Sequence, residues 1–184
     1  MIYQTGQILL VHSTSKLAKI IQKFQMRNDP EAGYWNHSGL IWVDPSGVYV
    51  VEMAEVKDYK VRANTVFTPI SEYLNSDREL LILTPTKQMM LPGNTERLFQ
   101  FKRIVYDYIG TPYDYKNLLV HQVWRLLTRG KWIGRKKAKA AKRMVCHEFT
   151  QKIWNEHSGI FTDWNEASVA RIFNSKHFTH TKLK

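Results

Sequence analysis

The stretch Trp35-Asn36-His37-Ser38-Gly39-Leu40-Ile41-Trp42-Val43-Asp44-Pro45-Ser46-Gly47-Val48-Tyr49-Val50-Val51-Glu52-Met53 decides how this chain folds. Ser38 to Val43 and Val48 to Met53 are short apolar runs rich in branched and aromatic residues, the composition of strands. Asp44-Pro45-Ser46-Gly47 between them is turn chemistry: proline presets φ, aspartate and serine bond their own backbone, and glycine tolerates the reversal. The pair predicts an antiparallel hairpin. In such a hairpin His37, where the first strand starts, and Glu52, on the second, can stand side by side on one face. A carboxylate beside a histidine fixes its tautomer and stabilises the imidazolium. The competing reading makes His37 a loop closure and Glu52 a solvent-facing strand residue.

Outward from the hairpin, Gly6 to Val11 reads as a short buried strand, and Ser13 to Phe24 has helical spacing with Leu17, Ile20, Ile21 and Phe24 on one side. Val61 to Phe67 and Leu80 to Thr84 are further strand candidates, with a helical turn near Ile70 to Leu74. Thr95 to Ile109 carries the apolar stripe Leu98, Phe101, Ile104, Val105 and Tyr108, and Gly110-Thr111-Pro112 stops it. Asn117 to Leu127, Val145 to Trp154 and Asn165 to Phe173 are predicted helices, followed by a polar end. No repeat and no Pro- or Ser-rich linker divides the chain. A single α+β domain over residues 1–184 is expected, with a basic insertion or flap at about 116–143.

Of the 184 residues, 43% are apolar and 23% charged, a globular balance that excludes whole-chain disorder. The net charge of +11 is lopsided. Residues 1–92 carry nine charges of each sign, whereas residues 93–184 carry 18 Lys and Arg against 7 Asp and Glu, so the excess belongs to the second half. One cysteine excludes an internal disulfide and a multi-cysteine metal site. No stretch approaches the roughly 18–20 apolar residues of a membrane span, and no charged start leads into a long apolar run. The expected setting is therefore cytoplasmic and reducing, with leaderless delivery left open.

Cys146 lies at the predicted start of a helix, after a basic run and before His147-Glu148-Phe149. The orphan N–H groups and dipole of a helix start, the charges of Lys142 and Arg143, and a nearby imidazole all favour a thiolate. The competing reading is a small packing residue.

The order His37…Glu52…Cys146 resembles the circularly permuted branch of the NlpC-like (papain-like) superfamily, which includes YiiX/YebB-like proteins and, more distantly, lecithin retinol acyltransferase relatives. Gly6-Gln7-Ile8-Leu9 looks like the family's opening Gly-Asp-Ile strand. Asn36-His37-Ser38-Gly39-Leu40-Ile41 is similar to its Ser-His-x-Gly-Ile-Tyr strand, and Val50-Val51-Glu52-Met53-Ala54 to the strand bearing the third polar residue. Gly110-Thr111-Pro112-Tyr113-Asp114 is similar to its Gly-x-x-Tyr-Asp segment, and Cys146-His147-Glu148-Phe149 resembles Cys-Ser-Glu-Leu at the start of the catalytic helix. Gln7 and His147 depart from the family's Asp and Ser. The resemblance implies a permuted papain-like fold, an antiparallel sheet packed on helices with the nucleophile at a helix N-terminus.

It also implies a cysteine hydrolase, an amidase or peptidase or an esterase. Cys146 would be the nucleophile, His37 the base and acid, and Glu52 its orienting partner, with Tyr113 lining the substrate site. The chemistry calls for no cofactor and no metal. The partner would be an amide- or ester-bearing substrate: a peptide, a cell-wall peptide or a lipid. His147 is expected to face away from Cys146, roughly 100° round the helix, as a structural or flap-contacting residue. His12 and His121 have no partner visible in the sequence. Tyr34, Trp35 and Trp42 suit either an acyl pocket or the core.

Two alternatives stand beside the hydrolase. One keeps the fold and makes the reaction acyl transfer. The other rests on the eight cations between Arg129 and Arg143, flanked by Trp124 and Trp132. Such a run suits nucleic acid, an anionic polymer or an anionic membrane surface, which would make the chain a non-enzymatic binding module.

Overall fold

The computed structural model describes residues 2–14, 18–19, 22–23, 26, 29–54, 64–89, 91, 93–114, 143–162 and 168–183. The insertion expected at about 116–143, with its basic run and the helix from Asn117 to Leu127, lies outside them but for Arg143. So do His121, the start of the strand expected at Val61, and most of the helix expected from Ser13 to Phe24, of which Ala18, Lys19, Gln22 and Lys23 are described and helical.

The hairpin forms where expected, one residue longer at each end. Strand β2 (His37–Asp44) and strand β3 (Gly47–Ala54) pair antiparallel from Asp44↔Gly47 to Gly39↔Glu52. Asp44 Oδ1 accepts from the Ser46 N–H at 2.8 Å, the turn bond its side chain predicts. Four more strands complete a sheet: β1 (Ile8–His12), β4 (Asn64–Pro69), β5 (Glu79–Pro85) and β6 (Phe178–Lys182), in the order β4-β3-β2-β1-β5-β6 with every neighbouring pair antiparallel.

The sheet is covered on both faces, so its inner strands read as unbroken apolar runs, Ile8-Leu9-Leu10-Val11 and Leu80-Leu81-Ile82-Leu83, rather than as alternation. On one face Ile8, Leu10, Leu40, Trp42, Val51, Met53, Leu81 and Leu83 join the main core. Helices α2 (Thr95–Asp107), α3 (Cys146–Ser158) and α4 (Val169–Phe173) pack there through Phe101, Val105, Phe149, Ile153, Trp154 and Ile172. On the other face Leu9, Val11, Ile41, Val50, Leu80 and Ile82 meet Ile70 and Tyr73 of the short helix α1 (Ile70–Leu74).

The helix ends follow their sequence. Asn94 caps α2 by accepting from Arg97 N–H at 2.9 Å. Gly159, in the left-handed region at φ 68°, ends α3. The α3 start differs: its capping position is Val145, which has no side-chain acceptor, and Glu148 Oε2 instead takes the Val145 N–H at 3.1 Å. The polar end expected after Phe173 is partly a strand, because Phe178 reaches the core beside Trp154 while the rest of β6 stays exposed on the sheet edge. Among the described residues no helix is long and apolar enough to cross a membrane.

Candidate active site

Residues from five elements meet at one end of the sheet. His37 opens β2, and Glu52 stands opposite Gly39, two residues further along the same strand. Side chains at alternate positions share a face, so only Gly39 intervenes between imidazole and carboxylate. A Cβ there would meet Val50 Cγ1 at 2.5 Å and Glu52 Cβ at 3.2 Å. The bare backbone leaves that space open, and His37 Nε2 contacts Glu52 Oε2.

Glu52 is 2% exposed, so its charge needs partners. Three donors meet it. His37 Nε2 and Tyr73 Oη (2.5 Å) address Oε2, and Thr68 Oγ1 addresses Oε1 at 2.6 Å. Burial by itself raises the Glu52 carboxyl; the hydrogen bond and charge of His37, then the bonds from Thr68 and Tyr73, reverse this and hold it below its ordinary value. Burial and the charge of Glu52 push the Tyr73 phenol up, which keeps it a donor. Neither Thr68 nor Tyr73 was among the expected site residues. Strand register is the one signal for Thr68, which is paired with Val50 and shares a face with Glu52; Tyr73, on helix α1, has none.

Cys146 is the first residue of α3 and 4% exposed. Its thiol and the His37 imidazole lie near enough to shift each other's ionisation, so the imidazole faces both sulfur and carboxylate. With Nε2 committed to Glu52, Nδ1 is the ring nitrogen left for the sulfur. Burial opposes a charged His37, but the charge of Cys146, its hydrogen bond and the Glu52 carboxylate outweigh burial and push the imidazole up to about 10. Burial likewise raises the thiol. The charge of His37 and hydrogen bonds with His147 and His37 overcome it, leaving the thiol well below its ordinary 9.0. Both shifts run in the direction that favours a thiolate paired with an imidazolium.

His147, the second residue of α3, is buried and close enough to Cys146 to help lower its thiol. Cα–Cβ bonds tilt toward a helix N-terminus, so a ring on the second residue reaches back over the first, where no preceding turn blocks it. A second polar chain fixes the helix itself. Thr150 Oγ1 donates to the Cys146 carbonyl at 3.1 Å, and Ser38 Oγ, next to His37 on the opposite face of β2, lies 3.2 Å from Thr150 Oγ1.

Tyr113 forms an isolated parallel bridge with Met144 and packs against Val145, which brings its segment to the entrance of α3. Trp35 and Trp42 are buried in the main core. Tyr34 stacks on His12 at 3.9 Å and hydrogen-bonds to Glu79, while His12 Nδ1 meets the Tyr34 carbonyl at 3.0 Å and Gln22 Nε2 at 2.5 Å, partners no sequence pattern indicated.

No family model and no curated protein matches the chain. Among solved structures it is similar to the metalloprotein YiiX from Escherichia coli O157:H7 (DUF1105), at 18% identity and a TM-score of 0.54 over 97% of this chain and 96% of that one. The chain has a YiiX-like fold. Among the described residues no group of three or more His, Cys, Asp or Glu side chains is placed to hold a metal ion.

Proposed function

We propose that this chain is a cysteine hydrolase of the permuted papain-like, NlpC-like class, acting on an amide or ester carbonyl through Cys146, His37 and Glu52. The observation that carries the reading is the convergence of a helix-start sulfur, a strand-borne imidazole and a buried carboxylate from α3, β2 and β3. The thiolate attacks the carbonyl carbon, forming the C–S bond and moving an electron pair onto the carbonyl oxygen. The Cys146 N–H, at the α3 start, would help stabilise that oxyanion. Collapse breaks the bond to the leaving amine or alcohol, which takes the His37 proton. Water then attacks the thioester, gives a proton to His37, and releases the acid and the thiolate. Glu52 holds the ring in one tautomer throughout.

The substrate class is an amide- or ester-bearing molecule. The basic run from Arg129 to Arg143, outside the described residues but for Arg143, is suited to an anionic polymer or membrane carrying it. An acyl-type electrophile followed by mass spectrometry tests the reading. One adduct on Cys146, abolished by His37→Ala, is expected. Hydrolysis that survives Cys146→Ala would overturn it.

A further inference from the structure

Two turns meet at the end of the sheet remote from His37. One follows β5 from Thr86 to Met89, and the other leads into β6 through Lys176 and His177. Glu79, the first residue of β5, pairs with His12, beside the Val11↔His37 pair. Thr86, just past the other end of β5, therefore lies roughly 20 Å along the sheet from the candidate active site. Backbone bonds fix the turns. The Thr86 N–H donates to the His177 carbonyl at 2.9 Å and the Met89 N–H to the Thr86 carbonyl at 2.8 Å. Arg97 Nη1, from α2, donates to the Gln88 carbonyl at 3.1 Å. Here opens a cavity of about 520 Å³ lined by Thr86, Lys87, Gln88, Lys176 and His177, the size of a small-molecule site. Its side chains offer two ammoniums, an imidazole, a hydroxyl and an amide, and no carboxylate. Among the described residues none of these five side chains has a hydrogen-bond or ion-pair partner.

We propose that this cavity binds a phosphate group, with Lys87 and Lys176 meeting its charge and Thr86, Gln88 and His177 adding polar contacts. The site stands apart from the hydrolase centre and does not depend on that reading. Two ammoniums with no acid beside them repel one another, and an anion placed between them removes that cost. The lining favours phosphate over carboxylate. Planar, two-pronged carboxylate recognition is the work of arginine, and no arginine lines the cavity; lysines act as compact point charges that suit a tetrahedral anion. A phosphate monoester carries about −1.5 to −2 at pH 7, which matches two ammoniums.

Titration of the isotope-labelled full chain with inorganic phosphate, followed by amide chemical shifts at constant ionic strength, tests the site. Saturable shifts at Thr86, Lys87, Lys176 and His177 are expected, weakened about tenfold or more in Lys87→Gln/Lys176→Gln. Both lysines are exposed, so the double variant should fold, and its unchanged amides elsewhere check this. A second arm uses phosphatidylcholine vesicles with and without phosphatidic acid. Sedimentation that needs phosphatidic acid, is lost in the double variant and is competed by inorganic phosphate would assign the phosphate to a lipid headgroup. Saturable phosphate shifts without such sedimentation would assign it to a soluble ligand. Equal shifts with chloride, or phosphate binding undiminished in the double variant, would overturn the proposal.

Discussion

Ser38 Oγ and Thr150 Oγ1 lie 3.2 Å apart, both fully buried, and tie the strand that carries His37 to the helix that carries Cys146. His37 and Cys146 sit one position before Ser38 and one helical turn before Thr150, so this contact helps set the distance between imidazole and sulfur. The sheet face that holds His37 is not the face against which α3 packs. Ser38 points to the helix because neighbouring strand residues alternate.

Thr150→Val removes the bridge and leaves the Ser38 hydroxyl buried without its partner. Stability should fall by about 1–3 kcal/mol. Urea denaturation measures this. Turnover should fall more than stability alone explains, and Ser38→Ala combined with Thr150→Val should restore part of the lost stability by removing the orphan.

Gly39→Ala should be destabilising by about 1–3 kcal/mol, because its methyl would press into Val50 and Glu52 of the paired strand. It would also displace Glu52 from His37. A nuclear magnetic resonance titration of the His37 ring should show a lower pKa in any Gly39→Ala protein that folds.

Tyr73→Phe keeps the packing of α1 and deletes one donor to Glu52. The carboxyl then becomes easier to protonate. The acidic limb of the rate profile should move to higher pH while the basic limb, set by the imidazolium, stays within reach of its wild-type position. A profile identical to wild type would show that Tyr73 is only a packing residue.

Stability itself should depend on pH with a plateau. The unfolded chain loses its His37 proton near 6.5 and its Cys146 proton near 9.0, whereas the folded pair holds one proton, on His37, across that interval. Between the two values folded and unfolded pairs bind equal numbers of protons, so their contribution is level. Below 6.5 the unfolded pair binds more protons, and stability falls with falling pH toward the lowered thiol pKa. Glu52, also lowered, adds to this loss below its ordinary 4.5. Above 9.0 the folded pair binds more, and stability falls as pH rises to about 10. Melting temperatures of wild type and His37→Ala across this range check it: the plateau edges should be blunted in the variant.

Much of the fold was legible because its signals are local. The hairpin turn declares itself in Asp44-Pro45-Ser46-Gly47, and its bond from Ser46 to Asp44 is the one those residues make anywhere. The continuous apolar runs of β1 and β5 marked buried strands. What escaped the sequence depends on partners far along the chain. β6 has one buried residue, Phe178, and owes its pairing to β5. Thr68 and Tyr73 are an ordinary strand threonine and helix tyrosine until register and packing bring them to Glu52.

The measurement that bears most directly on the central claim is the ultraviolet thiolate band of the full chain followed against pH, since a single cysteine makes the signal that of Cys146 alone. A thiolate beside His37 should persist to well below the ordinary thiol value of 9.0 in the wild type, and the band should move toward that value in His37→Ala. A wild-type band that appears only near pH 9, unchanged by His37→Ala, would contradict the ion pair and the catalytic account built on it.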